Sequence, residues 1–298
     1  MTTPLEAEIK RQVRQFYDQV GWQEAGEGYY QNARYEDLRP VSQEYIRRCH
    51  LRVARHLAPQ GRLLLDAGSG PIQYAEYLEY SRGYQARLCA DISIVALKEA
   101  RRRIGDRQQG GHGLFVVMDV ANLPFPAEAF DGVVSLHTIH HLPLVEHRQA
   151  YLELFRVLAS GRTAVVVNGW DNPPLMRLFN PPIRWINRLR AWLRRKPLPP
   201  SRKAPTTTVQ NAKGTFVSKN NAAWFEREIG SALPVEILVW RSVSVRFMRT
   251  FVSPHLGGRS CLRLLFWLEE RFPHFFGENG QYPLIVLRKS QTGKTQPI

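Results

Sequence analysis

The sequence predicts an α/β fold built on a largely parallel sheet with helices over both faces. Three observations carry that expectation. Short apolar runs alternate with amphipathic helical segments from about residue 60 onward. The runs are nearly continuous in Val and Leu, which suits strands buried on both faces. Three successive runs also end in an acid, at Asp66, Asp91 and Asp119.

Before the alternation starts, LEAEIKRQVRQFYDQV places Ile9, Val13, Phe16 and Val20 at helical spacing, and Gly21 ends the helix. An irregular aromatic stretch follows (Trp22, Tyr29, Tyr30, Tyr35), then a second helix over Val41 to Leu57. After Pro59 and Gly61 the rhythm changes. The strand LLLDA leads through GSGP to a helix near Ile72 to Tyr80, and ARLCADI leads to one over Ile94 to Arg103. LFVVMDV and GVVSLH are the next strands, then a helix over Val145 to Leu158, then the strand TAVVVNGW. Later, a helix near Ala222 to Ile229 precedes VEILVWRSVSVRF, and one near Leu262 to Arg271 precedes PLIVLRK. These two late strands are expected to finish the same sheet. The resulting division is a helical N-terminal part (1–58), a ligand-binding core (59–171), a basic insertion (172–215), the rest of the sheet (216–290) and a polar tail (291–298).

Composition narrows the function classes. Cys49, Cys89 and Cys261 are scattered and form no CxxC pair, so neither a disulfide framework nor a zinc site is read, and a reducing, cytoplasmic compartment is expected. MTTPLEAEIKRQ has no apolar h-region and no run reaches the roughly 18 apolar residues of a spanning helix, so neither a secretory leader nor a membrane span is expected. The net charge of +15 is concentrated. From Asn172 to Phe225 there is no Asp or Glu, while eleven Lys and Arg fall in the same stretch. That excess calls for an anionic partner.

In open α/β sheets ligands bind beyond the carboxyl ends of the strands, where the three acids lie. Gly68 and Gly70 permit positive φ and close approach of backbone to a ligand. The missing glycine at Gln73 argues against a dinucleotide turn. Asp91 is placed to accept the hydroxyl protons of a ribose. Asp119 can accept from an exocyclic amine such as adenine N6, while the Val120 amide donates to the ring. Together they outline a site for an adenosine-bearing cofactor. Each acid alone is equally well explained as a helix N-cap; three at successive strand ends are harder to explain that way.

On LLLDAGSGP, CADISIVALKEARRRI, MDVANLPFPAEAFDGVVSLHTIHHL and LFRVLASGRTAVVV, the chain resembles the class I S-adenosylmethionine-dependent methyltransferases. It looks most like the branch that includes the ubiquinone/menaquinone-biosynthesis enzymes (methyltransferase type 11). The resemblance covers roughly residues 62 to 168. It implies a Rossmann-like, seven-stranded sheet with PLIVLRK antiparallel, and S-adenosylmethionine as cofactor. It further implies Asp66, Gly68, Ser69 and Gly70 around the methionine part, Asp91 with Ile92 at the ribose, and Asp119 with Val120 at the adenine. Leu136 and His137 are implied to pass beside the sulfonium. The chain departs from the family at Ile72, where a third glycine is usual, and at LASGR, which replaces K-P-G-G.

A base is needed only if the methyl acceptor must lose a proton. His137, His140 and His141 follow the fourth strand at the acceptor's side, with His140 and His141 placed first as candidates. HHL recurs among family members with different acceptors, so shaping the loop is the plainer role. No acidic ligand stands near HxxHH, so no metal site is read. Tyr29, Tyr30, Arg34 and Tyr35 resemble the family's cap over the cofactor; packing of the first helices explains them equally well. In the insertion, Trp185, Ile186, Leu189, Trp192 and Leu193 fall in an arc of about 120° with arginines around it. Such a helix, over residues 183–196, suits an anionic membrane surface, and also suits simple packing on the domain. A nucleic-acid partner is disfavoured because no recognised motif accompanies the charge. The expected reaction is in-line methyl transfer to O or C of a lipophilic, quinone- or lipid-like small molecule. The alternatives are a soluble acceptor under an insertion serving as lid, and a non-catalytic binding protein on the same fold.

Overall fold

A computed structural model describes residues 3–26, 29–32, 36–105, 112–193 and 215–291. Its centre is a seven-stranded sheet. The strands are β3 (Gly61–Ala67), β4 (Tyr84–Asp91), β5 (His112–Val117), β6 (Gly132–Leu136), β7 (Thr163–Val167), β8 (Val235–Arg241) and β9 (Tyr282–Arg288). Their order is β5-β4-β3-β6-β7-β9-β8. β9 is antiparallel to both β7 and β8, and the other six strands run one way. The Rossmann-like α/β sheet with its last strand reversed is therefore present.

Period-two alternation divides the apolar strands between two cores. Leu65, Val133, Ala164, Val166 and Ile285 pack with Tyr151 and Leu154 on one face. Leu64, Val134, Val165, Val167 and Val286 pack with Tyr45, Met248 and Phe266 on the other. Both faces are covered, which is why the strands read as unbroken runs of Val and Leu. A buried ion pair between Asp66 of β3 and Arg87 of β4 lies between the two strands.

The covering helices are α1 (Pro4–Phe16), α2 (Gln43–Leu51), α3 (Ile94–Gly105), α4 (His147–Val157), α5 (Pro174–Leu193), α6 (Ala222–Phe225), α7 (Val245–Phe251), α8 (Gly258–Arg271) and α9 (Pro273–Asn279). A short hairpin, β1 (Glu24–Gly26) with β2 (Tyr29–Tyr30), follows α1. α1 starts in a capping box, with the Thr3 hydroxyl accepting from Glu6 N–H and the Glu6 carboxylate accepting from Thr3 N–H.

The local reading differs from the structure in several places: α5 starts at Pro174 rather than near 183, and the helix expected over Val41 to Leu57 ends as α2 at Leu51 and continues as a 3₁₀ turn. The segment after the glycine turn forms 3₁₀ turns over Ala75–Ser81, not a regular α-helix. The alternating VSVRF does not extend the preceding strand. Ser244 accepts from Phe247 N–H and caps α7 instead. α9 carries no sequence signal strong enough to have been read. Among the described residues, no helix is long and apolar enough to cross a membrane.

Candidate functional site

The turn after β3 has positive φ at Gly68 (78°), Gly70 (55°) and Ile72 (54°). A Cβ on Gly68 would collide with the Thr138 side chain, so glycine is required there twice over. Gly68 N–H and Ser69 N–H donate to the Ala90 carbonyl at 2.7 and 3.1 Å, and Gly70 N–H donates to Asp91 Oδ2 at 2.9 Å. Arg103 of α3 holds the far side through the Ile72 and Gln73 carbonyls. The usual third glycine is thus replaced by a buried, left-handed isoleucine packed with Cys89, Leu97 and Ala100.

Asp66, Gly68, Ser69, Gly70, Asp91, Ile92, Asp119, Val120 and Leu136, all anticipated, line one cavity of about 130 Å³. Asp91 is buried, and its second oxygen accepts from Ser93 N–H at 2.9 Å, while Ser93 Oγ caps α3 by accepting from Ala96 N–H. Burial pushes the Asp91 carboxyl up to about 6, against the lowering effect of its Gly70 and Ser93 amide bonds. Asp119 accepts from Ala121 N–H, Asn122 Nδ2 and Lys10 Nζ. Asp66 Oδ2 accepts from Arg87 Nε and Nη2, so one of its oxygens is committed to the sheet rather than to the cavity.

Of the tyrosine group the sequence suggested as a cap, only the Tyr30 side chain is among the described residues, and it does not line this cavity. The described lining on the N-terminal side consists of Lys10, Val13, Tyr17, Trp22 and Asn32. The Lys10 ammonium bridges Asp119 at 2.5 Å and Glu146 at 2.7 Å, and Asp18 accepts from Ser93 Oγ at 2.6 Å. Trp22 stacks on Tyr17 and lies over Gly70. Tyr30 turns away, donating to Glu99 of α3 at 2.6 Å. Arg34 and Tyr35 lie outside the described residues. Nothing in the early part of the chain marked Lys10 or Trp22 as site residues.

A second cavity of about 340 Å³ adjoins the first and shares Tyr17, Asn32, Gln73, Tyr77, His137 and His141 with it. All three histidines line it. His141 is fully engaged: Nδ1–H donates to the Phe216 carbonyl at 2.8 Å, and Nε2 accepts from the Tyr17 hydroxyl at 2.7 Å. His140 Nδ1 faces Asn168 Oδ1 at 3.4 Å, which puts the proton on Nδ1 and the lone pair on Nε2. His137 sits at φ 56°, edge-on to the rings of both Trp240 and Tyr282, with no hydrogen bond to its ring among the described residues. Burial lowers all three, His137 to about 3 and His141 to about 4, and the nearby cation Lys219 adds to each. They are neutral imidazoles near pH 7.

α5 carries the described part of the basic insertion. Ile183 is buried, Phe179 packs on Phe247 and Phe251 of α7, and Arg190 donates to the Thr250 carbonyl. Within the apolar arc read from the sequence, Ile186 is half-buried. Leu178, Trp185, Leu189 and Trp192 are exposed. At 100° per residue they span about 60° on the opposite side from Ile183. Residues 194–214, with Arg194 and Arg195, lie outside the described residues, as does the side chain of Leu193.

A seven-stranded sheet of this order, with a glycine turn and strand-end acids facing a paired cavity, defines a class I methyltransferase fold. Residues 65–166 match the family described as "Methyltransferase domain". The match covers about a third of the chain, and together with the fold it supports an S-adenosylmethionine-dependent methyltransferase domain over that segment. Among curated proteins, the chain is 29% identical over 125 residues to the mouse eEF1A lysine and N-terminal methyltransferase, covering 42% of this chain and 17% of that one. It is 26% identical over 167 residues to the O-methyltransferase cnsE of Penicillium expansum, covering 52% and 58%. The chain thus spans less than two thirds of either relative. Among solved structures, it superposes on the [4+2]-cyclase SpnF with a TM-score of 0.53 at 18% identity, covering 95% of this chain and 97% of that one. That last likeness concerns the fold alone, and a fold does not fix a reaction.

The residues present fit the cofactor. The turn lacks side chains at Gly68 and Gly70, Asp91 and Asp119 stand at adjacent strand ends, and Trp22 Nε1 is buried at the cap with no hydrogen-bond partner among the described residues.

Proposed function

We propose that the chain transfers a methyl group from S-adenosylmethionine to a small molecule with a largely apolar body. The observation carrying the reading is the pair of adjoining cavities at the carboxyl ends of β3 to β6. One has the acids and glycines suited to adenosine and methionine, and the other has aromatic walls and neutral histidines. When bound, the cofactor supplies a methyl already activated by the positive sulfur.

The chain's own residues then have three tasks. Asp91 and Asp119 hold the ribose hydroxyls and the adenine amine, with the Val120 amide toward the ring and Asp66, Ser69 and Gly70 near the methionine part. The cap closes the site and excludes water, which is most of what an in-line displacement needs. Drug-sized ligand sites run from roughly 300 Å³ upward, so Lys10 and Trp22 must move outward as the cofactor enters. If the acceptor carries a proton, His140 Nε2 is the better-placed base, because Asn168 fixes its tautomer and His141 has both nitrogens engaged. From sequence alone the two rank together.

The acceptor is supported as lipophilic by Phe16, Tyr17, Tyr74, Tyr77 and Tyr282 in the wall of the second cavity. An anionic membrane as its source is supported by the exposed Leu178, Trp185, Leu189 and Trp192, with Arg184 and Arg188 beside them. Radiolabelled methyl transfer into lipid and aqueous cell extracts tests the acceptor class. Label entering only the aqueous fraction overturns the lipophilic reading. Sedimentation with anionic liposomes tests the surface, and equal pelleting of the wild type and an Arg184→Glu/Arg188→Glu variant overturns it.

A further inference from the structure

Lys219 stands in the wall of the acceptor cavity, in a segment fixed by its neighbours. Ser218 N–H donates to the His140 carbonyl at 2.8 Å, and Asn220 Nδ2 donates to His147 Nδ1 at 2.9 Å. The Asn220 carbonyl accepts from Asp171 N–H at 2.9 Å. The lysine between these anchors lies over Gly169, where an added Cβ would come within 3.1 Å of its Nζ. Glycine leaves the ammonium its room.

Among the described residues that ammonium has no ion-paired counter-charge. Among the described residues Lys219 makes no hydrogen bond and has no carboxylate within 4 Å. Asp171, exposed, acts on it only from farther away. The other charges lining the cavity, Arg241 and Glu36, form an ion pair with each other. His137, His140 and His141 are neutral. The acceptor cavity therefore carries one unbalanced positive charge, partly withdrawn from water, and burial lowers the pKa of its ammonium. A half-buried, unpaired ammonium is a standing cost to the fold. It becomes favourable when a ligand brings the missing anion.

We propose that the methyl acceptor carries an oxyanion, a carboxylate or a phosphate, and that Lys219 is its counter-charge in this cavity. The inference rests on the methyltransferase reading and deepens it: the acceptor has an apolar body against the tyrosines and an anionic group at Lys219.

The test uses the full chain with and without S-adenosylhomocysteine. Calorimetry measures binding of 4-hydroxybenzoate against neutral 4-hydroxybenzamide, and of phenyl phosphate against phenol. At least one anion should bind about tenfold or more tighter than its neutral partner. Which one does so separates carboxylate from phosphate. Lys219→Met should abolish the preference, Lys219→Arg should keep it, and Lys219→Met should melt no lower than the wild type. Equal binding of charged and neutral probes, absence of any binding at millimolar probe, or a preference that survives in Lys219→Met overturns the proposal. The wild-type comparison stands even if a variant misfolds. S-adenosylhomocysteine, titrated in the same samples, separates the two claims: its failure to bind sinks the cofactor reading, and a lost anion preference with it bound sinks only this one.

Discussion

Ile72 offers a direct check on the cofactor turn. It is buried, at 2% exposure, yet holds φ at 54°, a conformation unfavourable for a β-branched side chain. Two substitutions separate its packing from its strain. Truncating a buried isoleucine to alanine costs about 2–5 kcal/mol, and alanine keeps the strained φ. Glycine loses the same contacts but relieves about 1–2 kcal/mol of left-handed strain. Its greater chain entropy takes back about 0.5–1 kcal/mol. Both variants should therefore be less stable than the wild type, with Ile72→Gly about 1 kcal/mol better than Ile72→Ala. Urea unfolding of the three proteins with matched m-values reads this order. Ile72→Ala as stable as Ile72→Gly would refute the positive φ. Ile72 does not line the cofactor cavity, so S-adenosylhomocysteine affinity should stay within roughly threefold in both folded variants.

Gly68→Ala must push a Cβ into Thr138 at positive φ, so it should lose several kcal/mol or fail to fold, with circular dichroism and melting as the measure. Lys10→Met removes the bridge between Asp119 and Glu146 and should cost about 1–2 kcal/mol near neutral pH. Burial raises the Glu146 carboxyl, so that penalty should shrink toward pH 4.5; an unchanged gap between the two proteins' urea midpoints would count against the bridge. His137 and His141 are held below the ordinary histidine value, so the unfolded chain binds more protons than the folded one between about 6.5 and 4. Stability should then be full above pH 6.5 and fall as pH drops through that window, by at most about 1.4 kcal/mol per pH unit and histidine, less where cavity water reaches the rings. A flat urea midpoint from pH 7 to 4.5 would contradict their burial as neutral rings.

The sheet and its ligand edge were legible because each rests on local signals. Period-two burial writes itself into strands as Val and Leu, and an acid ending a parallel strand sits at the ligand edge of any such fold. What escaped depends on partners distant in sequence. VSVRF alternates like a strand, and only the Ser244 cap makes it α7. The apolar content of α5 was plain, but its wheel has apolar residues on two sides, and the choice of buried side is made by Phe247 and Phe251. The histidines looked alike until Tyr17 and Phe216 engaged both nitrogens of His141. Lys10 stood in an ordinary mixed-charge helix, and Lys219 was one of eleven cations in the acid-free stretch with nothing local to single it out. Lys10 is set by Asp119 and Glu146, and Lys219 by the lack, among the described residues, of any carboxylate within 4 Å.

Calorimetric titration of the full chain with S-adenosylhomocysteine, in the wild type and in Asp91→Ala, tests the central claim most directly. The wild type should show one site per chain with a dissociation constant on the order of micromolar, and Asp91→Ala should weaken it at least about tenfold while staying folded. No heat from folded wild type at millimolar ligand, or equal affinity in the two proteins, would contradict the cofactor site built from this turn and these acids.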